Sequence, residues 1–123
     1  MDLNQRKNTY ELVVITKPEI AEDKEKAVLG KVDEVIKKFE GEIVEFESWG
    51  KKRLAYVIKK EVKGCYSYWF FKALPAAISE IERTLKLNDD VLRFLTIKLT
   101  PKDVEKMKEA KTNNFERSDE AVF

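Results

Sequence analysis

The sequence of 123 residues predicts a single α+β domain. Two hydrophobic periods alternate along the chain. Short runs with an apolar residue at every second position are typical of strands, and two longer segments with apolar residues three or four apart are typical of amphipathic helices. Proline and glycine residues stand where one period gives way to the other. The resulting order is strand, helix, strand, strand, helix, strand.

The first unit begins with a strand over residues 9–17, which is rich in β-branched residues and closes at Pro18. A helix is predicted over 19–40, with acidic residues early and lysines late, as the helix dipole favours. Gly41 ends this helix, and we interpret Gly30 as a place of close packing on the sheet. The apolar stripe of the helix consists of Ile20, Val28, Val32, Val35, Ile36 and Phe39.

The middle of the chain predicts two neighbouring strands. A strand over 42–49 is expected to continue, with a kink near Gly50, into the alternating segment 50–59. The residues 62–64 are predicted to form the turn that follows, because glycine favours turns. The strand after it, 65–73, is strongly aromatic.

A second helix is predicted to start at Pro75, because proline is favoured in the first turn of a helix. Its buried stripe consists of Ile78, Ile81 and Leu85. Residues 87–90 end it, and a last strand covers 91–99. Two strand–helix–strand units with right-handed crossovers give a ferredoxin-like βαββαβ fold. Its four-stranded antiparallel sheet has both helices on one face, and the other face has no helical cover.

The chain is divided into three parts: a flexible N-terminus at residues 1–8, the domain at 9–100 and a charged tail at 101–123. The tail has few apolar residues, so burial cannot offset the entropy lost on ordering it. We expect the tail to be largely disordered in the free protein.

Composition argues against an enzyme. The chain has no histidine and a single cysteine, Cys65, which removes the commonest general base and excludes an internal disulfide or a thiolate metal cluster. No glycine-rich anion loop follows the first strand. No signal peptide or membrane span is expected, because no sufficiently long apolar run is present. We therefore expect a cytoplasmic protein with no metal, no cofactor and no small-molecule substrate.

A basic cluster follows Gly50, although 24 basic and 23 acidic residues leave a formal net charge of only +1. Its cations are Lys51, Lys52, Arg53, Lys59, Lys60 and Lys63. Between them Leu54, Tyr56 and Ile58 share one strand face, which we predict to be core. Two interpretations remain open. The charges protect an edge strand from aggregation, or they bind phosphate.

The aromatic strand 65–73 resembles the third strand of an RNA recognition motif, yet the two positions that would stack bases hold Cys65 and Ser67. Tyr66 and Tyr68 are predicted to point to the other face of the strand, away from the face on which such a motif stacks bases. Core packing on one face of this strand, with a protein or RNA contact on the other, is therefore predicted in preference to base stacking.

The segment 50–59, Gly-Lys-Lys-Arg-Leu-Ala-Tyr-Val-Ile-Lys, resembles the signature of the family of the sixth protein of the bacterial small ribosomal subunit. Further matching motifs occur in the same order: Tyr10-Glu11, Pro18-Glu19, Lys63-Gly64-x-Tyr66 and the run 87–93. Together they cover most of the predicted domain.

This resemblance implies a structural component of the small subunit in the cytoplasmic ribosome. It implies binding to the central domain of the small-subunit ribosomal RNA as a heterodimer with the eighteenth small-subunit protein. The positions that it assigns to ribosomal RNA are Lys86, Asn88, Arg93, Lys98 and Tyr10. The edge strand that it assigns to the protein partner carries Glu45, Glu47, Trp49, Lys51, Lys52 and Arg53. The alternative is a ferredoxin-like protein-interaction or regulatory module without RNA binding.

Overall fold

The protein is described by a computed structural model that covers residues 6–100 and 102–103. Its elements are β1 (Asn8–Thr16), α1 (Glu22–Lys38), β2 (Glu42–Ile58), β3 (Glu61–Ala73), α2 (Ala76–Lys86) and β4 (Val91–Leu99). The four strands form one sheet in the order β2-β3-β1-β4, and all neighbours are antiparallel. This arrangement confirms the ferredoxin-like fold.

The main core lies between the sheet and the two helices. Leu12 of β1 and Trp69 and Phe71 of β3 are fully buried there against the apolar stripes of α1 and α2. The buried indole of Trp69 donates a hydrogen bond of 3.0 Å to Asp33 Oδ1 on α1, so its N–H is satisfied. Most of the predicted stripe residues are buried, and Ala77 is an additional buried residue of α2. Phe39 and Ile78 are only partly buried against this core, and Ile20 lies before the start of α1, so its place in the stripe was predicted wrongly.

A second, smaller core covers part of the face that has no helices. Val13, Ile15, Tyr66, Tyr68 and Leu92 are buried in it beneath side chains of β2. The side chains of β2 that cover this core are Trp49, Leu54 and Ile58. We call this side of the sheet the open face. It is closed at one end by the β2–β3 hairpin rather than by a helix.

The end of the hairpin bends over the open face. Gly50, Tyr66, Ile15 and Arg93 form one row across β2, β3, β1 and β4. Only six residues after Gly50, Tyr56 of β2 lies against Arg93 on the opposite edge strand. The bend occurs where the register shifts, at Gly50, whose φ of +75° favours glycine. The predicted kink is confirmed. Residues 51–64 are called the hairpin arm below.

The turn of the arm was predicted wrongly. It lies at Lys59 and Lys60, which connect the paired residues Ile58 and Glu61 with φ values of 48° and 68°. Two-residue hairpin turns of this kind usually carry Asn-Gly, so two lysines give no turn signal. Gly64 instead lies inside β3, where a Cβ atom would stand 2.4 Å from Ile15 Cγ2. That glycine serves close packing, not a turn.

Two further predictions were wrong. Gly30 does not pack closely on the sheet: it is exposed, and an added Cβ atom would meet nothing within 4 Å. Tyr56 is not core, since 55% of its surface is exposed, although Leu54 on the same strand face is buried. The bend of the arm explains this, because alternation sets which side chains share a face but not how much of that face is covered.

Element bounds agree with the predictions to within a few residues elsewhere. The last strand has the predicted bounds, and α1 is shorter than expected at both ends. Asn8 already belongs to β1. The expected flexibility of the N-terminus at residues 1–5 and the expected disorder of the tail 101–123, except at residues 102–103, fall outside the described residues. Neither helix of the described chain is long and apolar enough to cross a membrane.

Candidate nucleic-acid interface

The hairpin arm concentrates positive charge. Residues 51–64 contain six basic residues and one acid, Glu61, so their formal charge is 6 − 1 = +5, against +1 for the whole chain. The rest of the chain is therefore net acidic. Within residues 6–100 and 102–103, Arg53, Lys60 and Lys63 form no ion pair. Such clustered, unpaired cations are the electrostatic footprint of a polyanion site.

The bend brings the arm to the turn between α2 and β4. Lys59 Nζ donates a hydrogen bond of 3.2 Å to the backbone oxygen of Val91. The amide of Val91 in turn donates to the backbone oxygen of Asn88 at 3.1 Å, while the Asn88 side chain accepts from the amide of Asp90. Lys86 is the last residue of α2, just before this turn. The tertiary structure therefore places cations from distant parts of the sequence at one end.

We call this surface the basic end: the hairpin arm, residues 86–90 and Arg93. Arg93 lies on the open face, and its guanidinium carbon is 5.5 Å from the centre of the Tyr56 ring. A cation at this distance from an aromatic face is held by attraction to the ring quadrupole.

The residues that the resemblance assigned to RNA do not form one surface. Lys86, Asn88 and Arg93 lie at the basic end, whereas Tyr10 and Lys98 face each other across β1 and β4. Arg93 and Lys98 are five positions apart on β4, or about 17 Å. They also lie on opposite faces, because Arg93 pairs with Ile15 of the second core and Lys98 pairs with Tyr10 of the main core. Tyr10 is only 5% exposed and packs its ring in the main core. Its ring offers almost no surface to a base.

The edge strand β2 changes charge along its length. Glu42, Glu45 and Glu47 stand in its first half, which we call the acidic edge, and the cations of the arm follow after Gly50. The position of β2 at the edge of the sheet is as predicted. Lys51 approaches Glu19 at 3.9 Å, an exposed pair that contributes little to stability.

Trp49, which the resemblance assigned to the partner edge, is half-buried in the free chain. Its indole N–H donates to Glu47 Oε2 at 2.8 Å, and its ring stacks on Tyr68 with centroids 5.2 Å apart. The stack also reaches Tyr66, 6.4 Å away. Trp49 therefore covers the second core and remains partly exposed.

The two tyrosines of β3 offer no ring to a nucleobase, whereas Phe70 on the same face is only partly buried. Tyr66 and Tyr68 do lie on the open face, but they are 1% and 3% exposed. Burial raises the pKa of the Tyr66 hydroxyl and is the main cause of a raised pKa at the Cys65 thiol, so both stay protonated at neutral pH. In the described ranges, no group of three potential metal-ligating side chains is present.

Tyr56, which the strand pattern predicted to be core, is a surface residue of the basic end. An exposed aromatic ring beside an arginine and a cluster of lysines is a feature of nucleic-acid sites. The residue type was visible in the sequence, but its exposure depends on the bend at Gly50.

Comparison with known proteins then decides the family. The family model described as ribosomal protein S6 matches residues 9–98. The chain belongs to the ribosomal protein S6 family. The match covers most of the domain, including the hairpin arm and β4.

Relatives agree with this assignment. The S6-family chain is 42% identical over 89 residues to small ribosomal subunit protein bS6 of Desulforamulus reducens, a match that covers 72% of this chain and 94% of that protein. It is also 42% identical over 104 residues to the bS6 protein of a Synechocystis species, covering 85% and 92% of the two chains.

A solved structure agrees as well. The crystal structure of 30S ribosomal protein S6 from Thermotoga maritima superposes with a TM-score of 0.73 at 26% identity, covering 89% of this S6-family chain and all of that one. A chain in the structure of the chemotaxis kinase CheA P2 domain in complex with the response regulator CheY, from the same organism, gives a TM-score of 0.51 at 17% identity, which shows a shared fold alone.

Proposed function

We propose that this S6-family protein is a structural component of the small ribosomal subunit that binds small-subunit ribosomal RNA through its basic end. We propose further that it does so together with a basic protein, the eighteenth small-subunit protein, which docks on the edge strand. The separation of charge along β2 is the observation that carries both parts. No catalytic role is proposed, in keeping with the family.

The RNA contact is supported by the unpaired cations Arg53, Lys60 and Lys63 of the arm, and by the contacts of the arm with Val91 and Arg93 at the end that also holds Lys86 and Asn88. Each lysine or arginine that meets a phosphate releases counterions, so the affinity falls with salt by a slope of about −0.7 to −0.9 per contact. Lys98 remains a predicted contact, and it requires the RNA to extend along β4 and around this edge strand to the helix-bearing face.

The partner contact is supported by the acidic edge. Glu45 and Glu47 lie on the same face as Phe70 and Tyr68, and the neighbouring Val44 and Phe46 are 53% and 42% exposed. Phe46 packs against Trp69 on the helix-bearing face, so the edge strand carries carboxylates on one face and an exposed apolar ring on the other. Such an edge suits a basic partner that also offers apolar side chains. The chain itself, at +1, lacks the net charge of a free-standing RNA binder.

Fluorescence anisotropy with a labelled central-domain fragment of small-subunit ribosomal RNA tests the proposal. The protein alone should bind weakly, and the basic partner should raise the affinity. Lys59→Glu with Lys60→Glu should lower the affinity at least about tenfold, since each reversal removes one attraction and adds one repulsion. The matched control is Lys31→Glu with Lys37→Glu on the exposed side of α1. This double reversal should change the affinity for the RNA fragment less than about twofold.

Glu45→Gln with Glu47→Gln should remove the gain from the partner and leave the weak binding of the protein alone unchanged. Equally tight binding with and without the partner would refute shared docking. If the charge reversal at Lys59 and Lys60 lowered the RNA affinity no more than the α1 control did, the proposed RNA surface would be refuted.

The alternative of an interaction module without RNA makes a different prediction in cell lysate. On a sucrose gradient, the proposed function places the chain in the fractions of the small subunit. Sedimentation only with light, RNA-free fractions would favour the alternative.

A further inference from the structure

An exposed tyrosine stands in the middle of the basic end. Tyr56 exposes 55% of its surface, although the neighbouring Leu54 is buried to 7% exposure in the second core. An aromatic ring left in water forgoes hydrophobic stabilisation, and solvated lysines alone would suffice to keep the arm soluble. The ring is therefore available for a contact that the free protein does not make.

Arg93 is held beside this ring. Its guanidinium carbon is 5.5 Å from the ring centre, and within residues 6–100 and 102–103 no carboxylate forms an ion pair with it. A planar cation placed in this way is not neutralised by the protein. It is also partly ordered before any ligand arrives, which lowers the entropy cost of binding.

Buried neighbours and a hydrogen bond hold Tyr56 and Arg93 in position. Arg93 lies next in the row to Ile15, which is 2% exposed, and follows the buried Leu92 in the chain. On the arm, Lys59 Nζ is tied to the backbone oxygen of Val91, two residues from Arg93. A lysine ammonium has three N–H donors, so Lys59 keeps donors for a phosphate while it holds the arm in place.

We propose that Tyr56 and Arg93 form a stacking site for one unpaired nucleobase, with Lys59 and Lys60 beside it for the adjacent phosphates. The inference rests on the proposed function, because it specifies how the basic end reads RNA. Bases that project from loops or bulges stack on tyrosine rings and on guanidinium planes, whereas bases inside a duplex are not accessible in this way. A basic surface alone would bind phosphates of any RNA, and the aromatic site adds a preference for an unpaired nucleotide.

Two substitutions separate stacking from charge. Tyr56→Leu keeps an apolar side chain and removes the aromatic ring. Arg93→Lys keeps the positive charge and removes the planar guanidinium group. Binding of the full chain to the labelled central-domain fragment, with the partner present, is measured at several salt concentrations. Tyr56→Leu should weaken binding roughly 5- to 150-fold with an unchanged salt slope, as expected when one stacked base is lost.

Arg93→Lys should weaken binding at an unchanged slope as well, whereas Tyr56→Phe should bind like the natural protein. The matched control is Val57→Ala, the 61% exposed neighbour, which should have no effect. Chemical probing of the RNA bases should show one nucleotide that is protected by the natural protein and by Tyr56→Phe but not by Tyr56→Leu. Circular dichroism establishes that each variant is folded at the assay temperature.

If the natural protein binds and Tyr56→Leu binds equally well with the same protected bases, the stacking site is refuted and the proposed function stands. If Tyr56→Phe is as weak as Tyr56→Leu, ring stacking is refuted in favour of a hydroxyl contact. If the natural protein fails to bind the fragment even with the partner, the proposed function fails, and the stacking site with it.

Discussion

At the scale of single residues, Tyr66 and Tyr68 form a natural comparison. Both rings are buried in the second core beneath Trp49. The Tyr68 hydroxyl donates to Glu11 Oε2, whereas the buried Tyr66 hydroxyl has no hydrogen-bond partner among the described residues. The two hydroxyl groups therefore contribute differently to stability although they belong to the same strand.

Tyr66→Phe should leave the free energy of unfolding unchanged or raise it by up to about 1 kcal/mol, because it removes a buried polar group that makes no bond. Tyr68→Phe is the matched control and should lower it by about 1–3 kcal/mol, since it breaks a bond to a carboxylate. Urea unfolding monitored by circular dichroism measures both. Equal losses in the two variants would contradict this account.

The raised pKa of Tyr66 predicts an alkaline effect. Burial disfavours the phenolate in the folded protein, so the folded pKa lies above the ordinary value of 10.0. The unfolded state then releases this proton first, and the contribution of Tyr66 to stability, complete below pH 10, decreases as the pH rises above 10. Tyr66→Phe should therefore lose less stability than the natural protein between neutral pH and pH 11. Urea unfolding midpoints of both proteins across this pH range measure the difference. Identical pH profiles would contradict the prediction.

At the scale of secondary-structure elements, two glycines should respond in opposite ways to alanine. Gly30→Ala in α1 should raise the free energy of unfolding by about 0.5–1 kcal/mol, because alanine favours the helix and its Cβ atom enters open space. Gly64→Ala in β3 should be destabilising, because its Cβ atom would stand 2.4 Å from Ile15 Cγ2. Thermal unfolding of both variants tests the contrast. A loss of stability in Gly30→Ala would show that α1 packs differently.

The turn of the hairpin arm is a second element-scale test. Lys60 has a φ of 68°, a conformation that costs an ordinary residue about 1 kcal/mol and glycine almost nothing. Lys60→Gly should therefore stabilise the domain by about 1 kcal/mol and weaken RNA binding, since one cation is lost.

Lys60→Ala is the control for that variant, because it removes the same charge and keeps the unfavourable φ. It should show the same loss of RNA affinity without the gain in stability. A stabilised Lys60→Ala would mean that charge repulsion in the arm, not backbone conformation, limits stability.

At the scale of the whole molecule, charge separation matters more than net charge. A chain of net charge +1 holds +5 in the hairpin arm, so it should bind polyanions in a salt-dependent way that its pI of about 7.7 does not suggest. The six cations of the arm together with Lys86 and Arg93 limit the slope of log affinity against log salt to about −7.

Titrations of the natural protein with the RNA fragment between 50 and 200 mM salt measure this slope. A steeper value would require cations outside the basic end. A slope near zero would show that the cations of the arm do not meet phosphates at all.

The sequence by itself determined the element order, the helix stripes, the bounds of β4 and the bend near Gly50. These features follow from local periodicity, from residues that break it and from the conformational freedom of glycine. The same local patterns placed β2 at the edge of the sheet, because a βαββαβ order with right-handed crossovers leaves few other arrangements. The family motifs were visible for the same reason, since they are short and contiguous.

Only the tertiary structure decided which surfaces exist. The turn at Lys59 and Lys60 needs positive φ values, and the two lysines are not residues that predict such a conformation. The arm then crosses the open face, so that Leu54 is buried and Tyr56, on the same side of its strand, is exposed beside Arg93. Alternation along a strand assigns side chains to faces, but coverage of a face depends on contacts between residues far apart in the chain. The basic end and its proposed stacking site are products of those long-range contacts.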